Sequence, residues 1–276
     1  MKRIFSILAL MTACVLLTSV AAFAQKVERI ISLGPSLTQS IYYLNAQSQL
    51  VGCTSYCHAA KPDNKPIVSS AVKPNLEKIV SMKPDLVLAS GLTSVKELET
   101  LRKMGIRVEV FKSPKTFDEI CSQFIALGKL VGKEERAVAV IDSVKQRAEA
   151  IRLQNSNRNP KPRFFIQIGA SPIFTVLPNT FMNDYITYCG GENIAQDLTA
   201  GTIGKELVIA RKPDYIFVVT MGITGDEEKA MWSVFKNIPA SKNDNIFILD
   251  SNIACQPTPI TFIETLDLIT NCINKK

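Results

Sequence analysis

The sequence predicts an α/β fold of two similar Rossmann-like lobes with parallel sheets, joined by a long rigid interlobe helix, with a ligand cleft between the lobes. Three observations predict it. Helices alternate with short apolar runs on both sides of the chain's middle, the pattern of a parallel sheet. The middle itself, from Thr116 to about Leu153, is almost free of Gly and Pro. Finally, Asn75 to Leu88 and Gly204 to Phe217 share one local design. Each has a Glu (Glu77 or Glu206) seven residues before the Pro of Lys-Pro-Asp, and an apolar run follows each Asp. The two Glu are 129 residues apart, about half the chain. Two-fold related charges suit a partner that repeats its own surface, as a symmetric dimer does.

The elements follow in order. Ile30 to Leu33 is a short apolar run, hence a strand. After Gly34-Pro35-Ser36, Ser36 is placed to N-cap a helix to about Leu44, with Leu37, Ile41 and Leu44 on one face. Leu50 to Cys53 is a strand, and Thr54 to Pro66 a polar loop. The first repeat gives a helix over 75–82, stopped at Lys83-Pro84 because the residue before Pro avoids the α region. Strands follow at 86–89 and 107–111, with a helix at 95–104 between them. In the middle, Ala137, Val140, Ile141 and Val144 recur at helical spacing, and Gly132-Lys133 is the expected break. Beyond the polar linker 155–162, the expected elements are strand 163–168, turn Gly169–Pro172, and a helix from Asn183 to Tyr188 ended by Gly190-Gly191. The second repeat supplies helix 205–211 and strand 215–219, and strand 245–249 and helix 261–273 close the chain. Ligands of open α/β sheets bind beyond the carboxyl ends of the strands. The candidate cleft loops are therefore 34–36, 54–59, 90–93, 169–174, 220–223 and 251–259.

Residues 1–24 read as a secretory signal peptide: Lys2 and Arg3, an apolar stretch from Ile4, and Ala22-Phe23-Ala24 before Gln25. An uncleaved membrane anchor is the competing reading. Cys14, after Met11-Thr12-Ala13, raises lipoprotein anchoring as a third. Cleavage leaves 252 of the 276 residues, ample for a large core. The expected division is a lobe over 25–132, the interlobe helix over 133–155 and a second lobe over 156–276. Without Lys2 and Arg3, 30 basic residues face 25 acidic ones. That mild excess, scattered and without interleaved aromatics, does not suggest nucleic-acid binding. His58 is the sole histidine, which argues against metal sites built on several His. Export permits disulfides among Cys53, Cys57, Cys121, Cys189, Cys255 and Cys272, but six Cys allow 15 full pairings.

Four stretches, in order, carry a family resemblance: Arg29 to Ser36, Val51 to Tyr56, Asn75 to Ile79, and Cys189 to Ile194. The mature chain resembles the bacterial substrate-binding proteins with a rigid helical backbone. These serve ABC importers of cobalamin, ferric siderophores and haem. The likeness is greatest to the cobalamin-binding members. It implies a periplasmic protein without catalysis, cofactor or metal site, monomeric, that captures a corrinoid or other metal chelate and delivers it to a dimeric inner-membrane ABC permease. It implies that Glu77 and Glu206 dock on the permease subunits through Arg. A Glu in a helix's first turn also favours the helix dipole with no partner at all. Tyr56 matches an aromatic ligand contact, and Phe174 lies in a loop resembling another, although Phe174 could also pack within its own lobe. Ser36, in the first cleft loop, joins them as a candidate contact.

Other positions depart from the cobalamin pattern. Ala71 and Ser90 stand where Trp is expected, and Asn252 and Gln256 where an Asp and Arg pair is expected. Trp232, the chain's one Trp, falls in a helix away from the cleft. With no Arg in the cleft loops, an anionic ferric catecholate is disfavoured. The resemblance also implies a Cys189–Cys272 disulfide. Cys53, Cys57 and Cys255 with His58 are either a soft metal or haem site or simply thiols in loops, and the latter is the expectation. Two other functions compete. A ferric siderophore or haem as ligand would keep the transport class, with Tyr56 or His58 on iron. A periplasmic thiol hydrolase or chelatase has only Cys57-His58 to support it, with no phosphate loop, nucleophile elbow or His-Glu-x-x-His present.

Overall fold

The computed structural model describes residues 27–70, 73–222 and 224–274. The expected leader over 1–24, Cys14, and Ala71 lie outside the described residues. In the first lobe the elements are β1 (Ile30–Ser32), α1 (Pro35–Tyr43), β2 (Leu50–Thr54), β3 (Ile67–Ser69), α2 (Leu76–Ser81), β4 (Leu86–Ser90), α3 (Val95–Lys103) and β5 (Val108–Phe111). Two helices follow, α4 (Phe117–Leu130) and α5 (Glu134–Asn155). The second lobe has β6 (Arg163–Ala170), β7 (Ile173–Thr175), α6 (Phe181–Tyr188), β8 (Glu192–Asn193), α7 (Lys205–Arg211), β9 (Tyr215–Val219), α8 (Gly225–Ser233), α9 (Pro239–Lys242), β10 (Ile246–Leu249), α10 (Ser251–Ala254) and α11 (Pro259–Asn274).

The first sheet has order β3-β2-β1-β4-β5 and is parallel throughout. The second has order β10-β9-β6-β7, with β8 also on β6. It departs from the expected parallel sheet, because β7 runs antiparallel to β6. Ser171-Pro172 turns the chain back there, so the expected loop 169–174 is the tip and return strand of a hairpin.

Strand alternation distributes the core. Ile30, Leu86, Leu88, Phe164, Ile166, Phe217 and Val219 face a central cluster that runs through both lobes. Their neighbours Ile31, Val87 and Ala89 face an outer core of the first lobe. Phe165, Ile216 and Val218 do the same in the second. A strand buried on both faces must read as a continuous apolar run, and these do. Trp232 sits fully buried in the outer core of the second lobe, where its Nε1 donates to Gln167 Oε1 at 2.7 Å.

The Lys-Pro-Asp repeat does the same job twice. Lys83 and Lys212 both adopt left-handed φ, 48° and 44°, just after α2 and α7. Pro then prevents the helix from continuing. Asp85 Oδ2 accepts the amides of Glu28 and Arg29 at 2.9 Å. Asp214 Oδ2 accepts the amide of Arg163 at 2.8 Å. Each Asp thus ties the strand that follows it, β4 or β9, to the start of its neighbour, β1 or β6.

The long helical middle is two helices, and Gly132 at φ 69° makes the break. Helix α4 starts on Thr116, whose hydroxyl accepts the Glu119 amide at 3.1 Å. Its first amide, Phe117 N–H, donates instead to Asp184 Oδ2 on α6, at 2.7 Å. Around this bond the Phe117 ring stacks on Phe262 of α11 at 4.2 Å and meets Tyr188 edge-on at 6.1 Å. Helix α5 packs on α4, α6 and α11. Arg147 on α5 reaches Asp267 on α11 at 2.5 Å, but the pair is half exposed and contributes at most about 1 kcal/mol. Buried apolar contact therefore dominates this junction.

Helices α4 and α5 approach closely at Gly128. A Cβ there would stand 2.5 Å from the Ala137 Cβ. Gly128→Ala is expected to cost about 1–3 kcal/mol by overpacking, read from urea unfolding. Unchanged stability would mean that α5 can move away from α4.

Candidate ligand-binding cleft

A crevice of about 340 Å³ opens at the carboxyl end of the first sheet, between it and the 255–259 loop of the second lobe. From the first lobe come the loop before α1 with Ser36, the loop after β4 with Ser90 and Leu92, and the loop after β5 with Lys112. The α4 face forms the floor through Phe124 and Leu127. Opposite lie Cys255, Gln256 and Pro257, from the loop between α10 and α11. In the first sheet β1 sits between β2 and β4, so the chain winds in opposite directions from it. That switch point is where open α/β sheets hold ligands.

Of the sequence-predicted contacts, Ser36 and Gln256 meet in this crevice. Ser36 is not the N-cap expected of it. Gly34 takes that place, Pro35 opens α1, and the Ser36 side chain is left half-buried at the cleft. Gln256 is held by its backbone: its amide donates to Ile253 O at 3.2 Å, and its carbonyl accepts the Thr261 hydroxyl at 2.6 Å. Tyr56, Phe174 and Asn252 do not line the crevice. Tyr56 stands 56% exposed on the turn after β2, and its amide donates to the Thr54 hydroxyl at 3.2 Å. Phe174 is 41% exposed, because Ile173 and Thr175 on either side of it point inward along β7. Its ring does pack locally, over Gly201 and Gly169. Asn252 is exposed and turns its side chain back to Asp250 at 3.0 Å.

Sequence reasoning missed the loop after β5. It follows a parallel strand, so the strand-end rule pointed to it all along. Its exposed Lys112 places a cation beside the crevice, which weakens the charge argument against anionic chelates. Leu92 and Met221, 77% and 49% exposed, lie in loops that were expected at the cleft. His58 is exposed beyond β2. Among the described residues no group of three or more His, Cys, Asp or Glu side chains is placed to hold a metal.

The two repeat glutamates are equivalent in space as well as in sequence. Glu77 and Glu206 are each the second residue of their helix, α2 or α7. Both are exposed, and among the described residues neither carboxylate has a hydrogen-bond or ion-pair partner. A helix leading into a parallel strand runs antiparallel to it, so both helix N-termini lie at the cleft side of their sheets. Cys189 and Cys272 stand as thiols in the structure, with no disulfide between them. The fully buried Cys189 Sγ lies 3.7 Å from Thr270 Oγ1 on α11.

Two α/β lobes joined by shared helices around an open cleft are the architecture of a solute receptor. The chain belongs to the periplasmic binding protein family, which matches residues 30–253. It is 31% identical over 260 residues to the vitamin B12-binding protein of Vibrio vulnificus, covering 92% of this chain and 93% of that one. Among solved structures, a possible iron-binding, periplasmic solute-binding protein of Staphylococcus epidermidis matches with TM-score 0.79 and 28% identity, over 91% of this chain and all of that one. The periplasmic vitamin B12-binding protein of Vibrio cholerae matches with TM-score 0.75 and 26% identity, over 90% and 96%. The family is one of binding proteins rather than enzymes. Among the described residues no helix is long and apolar enough to cross a membrane.

Burial, with Asp250 adding to it, pushes the Cys255 thiol up to about 11. Alkylation follows the thiolate. Iodoacetamide is therefore expected to label Cys255 slowly at pH 8 and progressively faster as the pH approaches 11, read by peptide mass. Fast labelling at pH 8 would contradict a neutral, half-buried thiol.

Proposed function

We propose that this chain captures a corrinoid in its interlobe cleft and delivers it to an inner-membrane ABC permease. The observation that carries this reading is similarity to vitamin B12-binding proteins over nearly the whole chain. The cleft is compatible with it. The crevice is at the small end of the range for small-molecule sites, roughly 300–1,000 Å³. In this reading the macrocycle rests above it, against the exposed rim groups Tyr56, Phe174, Leu92 and Met221. Rigid aromatic faces bury a flat ligand at low entropic cost. Ser36, Asn252 and Gln256 supply neutral polar contacts. The reading includes export with removal of residues 1–24, a monomeric receptor, lobes over 25–132 and 156–276 about the 133–155 helix, and a Cys189–Cys272 bridge in the oxidising periplasm. It includes no catalysis.

Glu77 and Glu206 are the docking groups in this reading. Their exposure without a partner supports it, since a helix N-terminus needs no particular carboxylate at both equivalent positions. Exposed charges of this kind set encounter rate and register more than affinity. A second reading keeps the transport role but takes a ferric chelate or haem. Lys112 at the cleft and the similarity to a possible iron-binding protein favour it.

Titration calorimetry of residues 25–276 decides between the two. Cyanocobalamin and cobinamide are expected to bind one to one, whereas haem and a ferric siderophore are not. Uptake of an iron complex alone would overturn the ligand and keep the class. Tyr56→Ala is expected to weaken cyanocobalamin roughly tenfold, about 1.4 kcal/mol. Glu77→Arg with Glu206→Arg is expected to leave that affinity unchanged and to slow association with the permease. A loss of ligand binding in that pair would remove the docking role.

A further inference from the structure

Cys53 and Cys57 bracket the turn that carries Tyr56. Cys53 is the fourth residue of β2, paired in register with Ser32 of β1 and Ile67 of β3. The chain then reverses: the Cys57 amide donates to Thr54 O at 3.1 Å, and the Tyr56 amide donates to the Thr54 hydroxyl. This brings both thiols back into one cluster of the core, at 1% and 2% exposure. Two hydroxyls lie against the Cys57 sulfur. The Thr38 hydroxyl lies 3.0 Å away and the Thr54 hydroxyl 3.2 Å away. Cys53 hydrogen-bonds to Cys57, which pulls the Cys57 thiol below its ordinary range and raises Cys53. The fold thus holds the two sulfurs side by side in the core.

We infer that Cys53 and Cys57 form a redox pair that closes to a disulfide in an oxidising compartment, stapling the Tyr56 turn at the rim of the cleft. The compartment rests on the export reading; the pairing itself does not. The oxidant is a disulfide, either glutathione disulfide or a protein disulfide. Cys57 thiolate attacks one of its sulfurs, and the other sulfur leaves as a thiolate. Cys53, losing its proton, then attacks the Cys57 sulfur of the mixed disulfide. The Cys53–Cys57 bond forms, and the oxidant departs as two thiols carrying the two electrons. Three residues separate the partners, so they meet as soon as the unfolded chain is exposed to oxidant, before burial closes access. Loop-closure stabilisation grows with loop length, so so short a loop adds little global stability. The effect is local, on the turn that presents Tyr56.

The test uses residues 25–276, reduced and then refolded in glutathione buffers from fully reducing to fully oxidising, acid-quenched, alkylated in denaturant and peptide-mapped. The expected result is one tryptic peptide carrying Cys53 and Cys57 unalkylated and lighter by two hydrogens than its dithiol form, which accumulates with the oxidised fraction and is absent in Cys53→Ser. Alkylation of both residues at full oxidation would overturn the pairing. So would linkage of either one predominantly to Cys121, Cys189, Cys255 or Cys272. The same map of protein from a periplasmic fraction separates the two readings. An intact leader would count against export and leave the pair to the refolding result, whereas a processed chain with both thiols alkylated would overturn the staple.

Discussion

The packing of α4 and α5 against α6 and α11 sets the spacing of the two sheets, and the rest of the molecule depends on it. Its centre is the Phe117 amide bonded to Asp184, inside a stack of Phe117, Tyr188, Tyr185 and Phe262. Burial pushes the Asp184 carboxyl above its usual range while the amide pulls it back, so the bond offsets the cost of placing a carboxylate there. Tyr185, wholly buried, extends the junction by donating its hydroxyl to Ala254 O at 3.1 Å. That contact ties the same aromatic stack to α10, next to the crevice wall at Cys255 and Gln256. The apolar core that begins under β1 therefore continues without interruption to β9. The two lobes share this core, so any bending between them must disrupt it. The cleft is expected to exist before any ligand arrives.

Within each lobe one short motif orders the strands. The left-handed Lys, the Pro and the strand-pinning Asp account for the repeat on structural grounds alone. Glu77 and Glu206 are the repeated residues that this structural role does not use. Their symmetry is thus a property of the exposed surface. The cleft follows from topology: the strand ends of both lobes and the helix N-termini bearing these two Glu lie on one side.

Most of the fold was legible because its signals are local. The helix at 205–211 and the strand at 215–219 fall where Lys-Pro-Asp and the apolar run put them. Gly132 broke the middle helix as its composition suggested. What escaped was set by tertiary contacts. β3 and β7 are three residues each, too short for periodicity to register. Ser36 lost its capping role to Gly34 because Pro35 suits the first helical position. The site was less legible than the fold. Lys112 carries no motif, and only its place after β5 brings it to the crevice. Cys53 and Cys57 read as loop thiols, yet the turn returns both to the core.

Small-angle X-ray scattering of residues 25–276, alone and saturated with cyanocobalamin, tests the rigid junction most directly, provided calorimetry has established binding. The account predicts superimposable profiles and an unchanged radius of gyration. A clear contraction on binding would show that the lobes close about a hinge, contradicting a spacing fixed by the α4–α5 packing.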